Sequence, residues 1–203
     1  MSGGIYAVPE GYNEPVLDYA PGSPERQDLQ AMIKEMRAKE IDIPMILGGK
    51  EVRTDDKISI HPPHDHQHTL GYFSMGDESH VNQAIDEALK ARAAWQDLPW
   101  DQRASIFLKA ADLVAGPYRA KINASTMLAQ SKNVYQSEID AACEMADFLR
   151  FNVEFMKDIF EAQPISSKGV WNRVEQRPLE GFVYAITPFN FTSIAGNLSA
   201  APA

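Results

Sequence analysis

The sequence predicts an α/β protein in which a small β-hairpin sheet and a layer of amphipathic helices lead into the start of a parallel sheet. Three observations carry that expectation. Short β-branched runs broken by GG, TDD and HPPHD fill residues 43–75, the pattern of strands joined by turns. Apolar residues then recur at three- and four-residue spacing up to Gln163. Finally, the near-continuous apolar run Phe182–Ile186 meets Thr187-Pro188, as a buried parallel strand does where it leaves its sheet.

Taken in order, residues 1–24 carry Pro9, Pro15, Pro21 and Pro24 among glycines. They read as an extended arm draped over a neighbour or partly loose, with no chemistry assigned to it. ERQDLQAMIKEMRAKE places Leu29, Met32, Ile33 and Met36 on one helical face. Residues 1–40 are therefore expected to be an arm and short helix, and 41–203 a second unit holding everything else. In the sheet that follows, short antiparallel strands are expected. The GGK at 48–50 lacks both the first glycine and the hydroxyl residue of a phosphate loop, so it reads as a turn.

DESHVNQAIDEALKARAAWQDL offers Asp77 or Ser79 as N-cap and Val81, Ile85, Ala88, Leu89 and Trp95 as a buried stripe, closed by Pro99. The next helix should bury Ile106, Ala110, Leu113 and Val114, break at Gly116-Pro117 and resume through Ile122 and Leu128. The longest periodic segment follows, with Ile139, Ala142, Ala146, Leu149, Val153, Met156 and Phe160 as its core face and Pro164 as its stop. Residues 170–186 read as two strands around the PLEG turn.

Composition excludes several classes. A net charge of -9 opposes binding to a phosphate backbone, which needs clustered Lys and Arg, so nucleic acid is not an expected partner. No apolar run reaches the roughly 18 residues of a membrane span, and the N-terminus has neither a signal-peptide nor an organelle-presequence pattern. The single cysteine fits a reducing compartment, and the cytoplasm is the expected location.

Four candidate constellations can be weighed. His61, His64, His66 and His68 with Asp65 suit zinc or nickel by donor type, but two prolines stiffen the loop. Strand geometry puts His66 and His68 on one face, so a solvated turn is expected and no metal. Replacing His66 and His68 would abolish stoichiometric zinc were the metal reading right. Cys143 lies mid-helix beside carboxylates that raise a thiol pKa, and reads as a small buried residue. Glu138, Asp140, Glu144 and Asp147 mostly mark the wet side of the long helix, with Glu144 able to turn into a cleft. The C-terminal stretch differs: ligands of open α/β sheets sit beyond strand ends, and Ser193, Ala195, Gly196, Ser199 and Ala200 would let a cofactor approach closely. At the tip of that turn, Asn190 carries a neutral amide suited to an oxyanion, although spacing alone favours an Asx-turn or helix cap.

RPLEGFVYAITPFNFTSIAGNLSAAPA resembles the aldehyde dehydrogenase superfamily, in which a Pro-aromatic-Asn-Phe segment follows the first strand of the NAD-binding domain. Within it, LEGFV, FNFT and SEIDAACEMADFLRFN resemble the delta-1-pyrroline-5-carboxylate dehydrogenases, which oxidise L-glutamate 5-semialdehyde to L-glutamate with NAD. The resemblance implies a reaction in which a cysteine thiolate attacks the aldehyde, hydride leaves for the nicotinamide, and a glutamate-activated water hydrolyses the thioester. It implies that Asn190 donates to the tetrahedral oxyanion and that Thr187, Pro188 and Phe189 contact NAD. Phe191 would lie beside the aldehyde's aliphatic chain and Glu144 near the substrate entrance.

The family's nucleophile, general base, ribose-holding lysine and carboxylate-anchoring loop lie downstream of this point. The expectation is thus the N-terminal part of a longer enzyme, inactive as a lone chain, with an incomplete Rossmann-type sheet. Exposed strand edges would leave the lone chain poorly soluble or dependent on a partner. Small aldehydes are its expected partners, and copies of itself when full length. The alternatives are a non-catalytic remnant serving as a scaffold or oligomerisation module, and an aldehyde dehydrogenase with another substrate.

Overall fold

The structure is a computed structural model and describes residues 7–200. The first six residues of the arm lie outside the described residues, as do the side chains of Ser199 and Ala200. After the arm comes α1 (Pro24–Ala38), started by Ser23, whose side chain accepts from Arg26 N, and by Pro24 in the first helical turn. Its apolar face is the expected one. Leu29 is buried, and Met32, Ile33 and Met36 pack with it against Ala124 and Met127 of α4 (Arg119–Gln130) and against Tyr19 of the arm.

The strands are β1 (Ile41–Ile43), β2 (Met45–Leu47), β3 (Lys50–Val52), β4 (Lys57–Ile60) and β5 (Gly71–Ser74). Strands β2 and β3 form an antiparallel hairpin with Leu47 opposite Lys50. Gly48 and Gly49 both have positive φ, +57° and +76°, as a two-residue type I′ turn requires, so GGK is a turn. The expectation of antiparallel pairing holds for β2–β3 and β4–β5 but fails for β1, which runs parallel to β5 with Ile41 opposite Gly71. The long connection between them permits the parallel direction. Gly71 is required there, because a Cβ at its φ of +154° would stand 2.1 Å from the Ile41 carbonyl oxygen.

Helix α2 (Glu78–Asp97) begins at Asp77, whose carboxylate accepts from Ser79 N and His80 N in a capping box. Its expected buried stripe is not buried. Val81, Leu89 and Trp95 are exposed, no residue of the helix is buried, and its main contact is with β2. A helix closes its own backbone hydrogen bonds, so it forms without a covered face. Helix α3 (Trp100–Ala115) stops at Gly116-Pro117 as expected, but Ile106 is exposed, and the buried residues are Ala104 and Ala111.

The long periodic segment is one continuous rod in three parts: α5 (Val134–Ser137), a π-helical segment Glu138–Cys143, and α6 (Glu144–Glu161). Ala142, Ala146, Leu149 and Val153 are buried along it as expected. Ala111 and Ala146, both fully buried, let α3 and α6 approach closely, with Phe107, Val114 and Met145 around them.

Residues 162–195 contain no helix or strand, which corrects the expected hairpin and the expected parallel strand Phe182–Ile186. A strand's N–H and C=O groups need a neighbouring strand, and the described residues offer none there. Phe182, Val183, Tyr184 and Ile186 are accordingly exposed. The chain then closes with α7 (Gly196–Ala200), which rests on α6. Helices and strands together make this an α/β protein, with the cofactor-binding sheet unformed among the described residues. None of the helices among them is long and apolar enough to cross a membrane.

Candidate active site

The site is built where the C-terminal end of α4 and the π-helical segment meet the turn after Pro188. Helix α4 ends at Ser131, held in the left-handed region at φ 56°, and this redirects the chain into Lys132. With its amide oriented to match its surroundings, Gln130 donates to the Asn190 carbonyl at 3.0 Å. Its Oε1 accepts from Phe191 N at 3.1 Å and from Thr192 N at 3.3 Å. One helical turn earlier, the Thr126 hydroxyl meets that of Thr192. From the other side, the Ser193 hydroxyl donates to Ala141 O in the π-helical segment at 2.7 Å.

The residues singled out in the sequence fall into two groups. Thr187, Pro188, Phe189 and Asn190 are exposed on the turn, with Phe189 at 97% exposure. Phe191 is half-buried, and it lines with Pro188, Phe148 of α6, Ile194 and Leu198 a cavity of about 200 Å³. Glu144 is half-buried at the first position of α6, where burial and then the charges of Asp140 and Asp147 hold its carboxyl above the usual carboxylate range. Lys132 links the two half-buried residues. Its ammonium stands 4.3 Å from the centre of the Phe191 ring and 2.5 Å from Asp140 Oδ2, and its charge partly offsets the rise at Glu144.

Glu138 is a correction: it is not on the wet side but fully buried. Arg119 Nε donates to its two oxygens at 3.2 and 3.3 Å, and Arg119 Nη2 makes a closer bond to Glu138 Oε1. Leu17 N, the Tyr19 hydroxyl and the Asn123 amide complete its shell at 2.7–2.8 Å. Burial pushes Glu138 toward the neutral form, but Arg119, Leu17 N and Tyr19 outweigh it, and its pKa ends below the usual carboxylate value. The arm supplies a second carboxylate, Glu14, which accepts from Arg119 Nη1 at 2.6 Å and Arg150 Nη1 at 2.8 Å. The arm is thus bound into its own chain.

Cys143 is buried as expected. Desolvation and then Glu138 push its thiol up to about 12, the reverse of an activated nucleophile. The histidines do not converge: His61 bonds to Ser59 and the His68 carbonyl, His64 to Ser131, and Asp65 pairs with Arg37. Among the described residues no group of three or more His, Cys, Asp or Glu side chains could hold a metal ion.

Gln130, Lys132, Arg119 and Glu14 were missed in the sequence. A signal existed for Glu138, which stands four residues before Ala142 on the ladder that continues to Ala146, the inward face of the rod. For Gln130 no comparable pattern exists, because its partners are backbone groups of a turn some sixty residues on.

This arrangement matches a known family. Residues 51–203 fit the model of the aldehyde dehydrogenase family, and the chain belongs to that family. More particularly, it is 50% identical over 200 residues to the delta-1-pyrroline-5-carboxylate dehydrogenase of Agaricus bisporus, a match that covers 98% of this chain and 37% of that protein. It is 48% identical over 191 residues to the protein of that name, designated mitochondrial, from Homo sapiens, covering 94% of this chain and 34% of that one. The crystal structure of the Mycobacterium tuberculosis enzyme bound with NAD aligns with a TM-score of 0.96 at 52% identity, over 99% of this chain and 38% of that one. The chain spans about a third of the length of the curated relatives it matches.

Proposed function

We propose that these residues are the N-terminal part of an NAD-dependent dehydrogenase that oxidises L-glutamate 5-semialdehyde, the open form of delta-1-pyrroline-5-carboxylate, to L-glutamate. The observation that carries this reading is the alignment of 99% of this chain, at 52% identity, with 38% of an enzyme of that name in its NAD-bound crystal structure.

The turn fits a nucleotide cofactor. Thr187–Phe189 are exposed and offer a hydroxyl and backbone groups. Packing does not demand a glycine at 196, where an added Cβ would meet only Met145 Cε at an ordinary 3.5 Å, and a small residue there suits the close approach of a cofactor. Thr187, Pro188 and Phe189 hold the cofactor in this reading, and NAD when bound supplies the acceptor for the aldehyde's hydride. Asn190 directs its amide N–H at the oxygen that becomes negative as the aldehyde carbon turns tetrahedral, a role worth about a hundredfold to a thousandfold in rate. Phe191, with Pro188, offers the aliphatic part of the substrate an apolar wall, and Glu144 stands at the entrance.

The chain's single cysteine is buried and its thiol held neutral, so the attacking thiolate is not one of these 203 residues. The lone buried cysteine suits a reducing compartment, and the complete enzyme is read as a cytoplasmic homo-oligomer.

The test is to purify the native gene product from cells growing on proline, measure its intact mass, and follow NAD reduction with delta-1-pyrroline-5-carboxylate. A mass well above 22.6 kDa with turnover that Asn190→Ala lowers by about a hundredfold or more is the expected result. Turnover by a 22.6 kDa chain, or none by a longer one, overturns the reading.

A further inference from the structure

We propose that Gln130 and Lys132, at the end of α4, are positioning residues that set the direction in which Asn190 presents its amide; the kinetic half of this proposal rests on the dehydrogenase reading above. The turn itself belongs to no strand or helix whose hydrogen-bond ladder would take its backbone groups. A single planar amide takes three of them, the Asn190 carbonyl and the Phe191 and Thr192 N–H groups, at 3.0, 3.1 and 3.3 Å. The opposite orientation of that amide gives only one bond, to Phe189 O at 3.3 Å. Bonds to the carbonyl of residue 190 and to the next two N–H groups hold the peptide planes following Asn190, and so the backbone from which its side chain projects.

The other contacts hold the same turn from two further directions. Thr126 lies one helical turn before Gln130 on the same face and meets Thr192, so α4 grips the turn at two levels. Lys132, turned out of the helix by Ser131, covers the Phe191 ring at 4.3 Å while Asp140 of the π-helical segment holds its ammonium at 2.5 Å. The same segment accepts the Ser193 hydroxyl at Ala141 O. The turn is therefore registered against α4 and the π-helical segment together. A misplacement of about 1 Å in a catalytic group costs on the order of a hundredfold in rate, so such a clamp has a kinetic consequence.

Hydrogen exchange resolved to residues 187–193 of the purified protein tests the clamp without reference to activity. Gln130→Met removes the amide at equal length, whereas Gln130→Glu keeps the acceptor oxygens. The expected result is exchange at Phe191 and Thr192 about tenfold or more faster in Gln130→Met and near wild type in Gln130→Glu, as loss and retention of an accepting bond dictate. Unchanged exchange in Gln130→Met overturns the proposal. So does acceleration that spreads equally through α3 and α6, which would make Gln130 a general support of the fold.

In steady-state NAD reduction by the complete enzyme, Gln130→Met and Lys132→Met should lower kcat by about tenfold to a hundredfold with little change in KM for the aldehyde. Lys132→Arg should restore it. A deprotected turn with unchanged kcat overturns the positioning role. Absence of turnover in the wild-type enzyme would instead sink the dehydrogenase reading and leave the exchange result to decide the clamp.

Discussion

The helical layer and the segment from residue 162 to residue 195 carry the same kinds of side chain and put them to opposite use. In the layer, a carboxylate is fully buried: Glu138 has 0% exposure and is surrounded by a guanidinium, an amide, a hydroxyl and a backbone N–H. In the later segment, Trp171 is 84% exposed and Phe182, Tyr184 and Ile186 face solvent. Between these two regions, burial tracks whether backbone and polar groups find partners rather than hydrophobicity alone. The helices close their own hydrogen bonds and so can assemble around a charge, while the strand-like stretch finds no neighbour to pair with among the described residues and leaves its apolar residues uncovered there.

If that contrast is right, the largest single loss of stability comes from a charged residue. Glu138→Ala leaves Arg119 buried with one carboxylate fewer, and breaking a buried pair in this way costs about 3–5 kcal/mol. Urea unfolding with an unchanged m-value checks it, and a loss below about 1 kcal/mol would mean that the pair merely breaks even with its desolvation. Next in size is the arm's own contribution. Glu14→Ala removes the acceptor shared by Arg119 and Arg150, and charged hydrogen bonds of this kind contribute about 1.5–3 kcal/mol. It should also free residues 11–20 to limited proteolysis. An arm that stays resistant would show that the bonds from Gly11, Glu14 and Leu17 N–H groups suffice.

What the sequence disclosed follows the same division. Helices α1, α3 and α4 and the rod to Glu161 were legible, because periodicity and punctuation by Pro24, Pro99, Gly116-Pro117 and Pro164 act locally. The Gly48-Gly49 turn was legible for the same reason. The burial of Val81, Leu89 and Trp95 was not, since a stripe states what a helix can cover and not whether anything lies against it. The strand Phe182–Ile186 failed because pairing is non-local. In the candidate site, Asn190, Phe191 and Glu144 were found through a motif, and the structure puts Phe191 on the cavity wall. Their supports, Gln130 and Lys132, act across long sequence separations through ordinary polar side chains that carry no pattern. The arm, expected to have no chemistry, carries Glu14 and Tyr19 into the buried network, which four prolines among glycines gave no means to foresee.

A smaller and graded effect should appear with pH. The Cys143 thiol, pushed up from 9.0 to about 12, keeps its proton in the folded protein, whereas the unfolded chain releases it near 9. Its contribution is complete below pH 9 and is lost as pH rises toward about 12, a window in which unfolding releases a proton. Tyr19, also raised by burial and by Glu138, adds to the loss above pH 10. Glu138 acts at the other end: its folded-state pKa is depressed, so its contribution is present above about 4.5 and is lost as pH falls through the folded value. Urea midpoints measured from pH 3 to 11 should form a plateau with two shoulders. Cys143→Ala should flatten the alkaline shoulder and leave the acid one in place. An unchanged alkaline slope in that variant would assign the whole of it to Tyr19.

The smallest expected effect is the sharpest statement about the other region. Trp171 is among the largest apolar side chains of the protein, and in a packed core its truncation would cost about 3–5 kcal/mol. At 84% exposure it has almost no transfer energy to lose, so Trp171→Ser should change the unfolding free energy by no more than about 0.5 kcal/mol. The tryptophan itself supplies a second reading. Emission from Trp171, isolated within these 203 residues by replacing Trp95 and Trp100 with phenylalanine, should be at the water-exposed wavelength and should be quenched by iodide as freely as a small indole. A blue-shifted, protected emission, or a loss of several kcal/mol on Trp171→Ser, would mean that the segment covers its apolar residues in solution. The contrast between the two regions would then collapse into one continuous core.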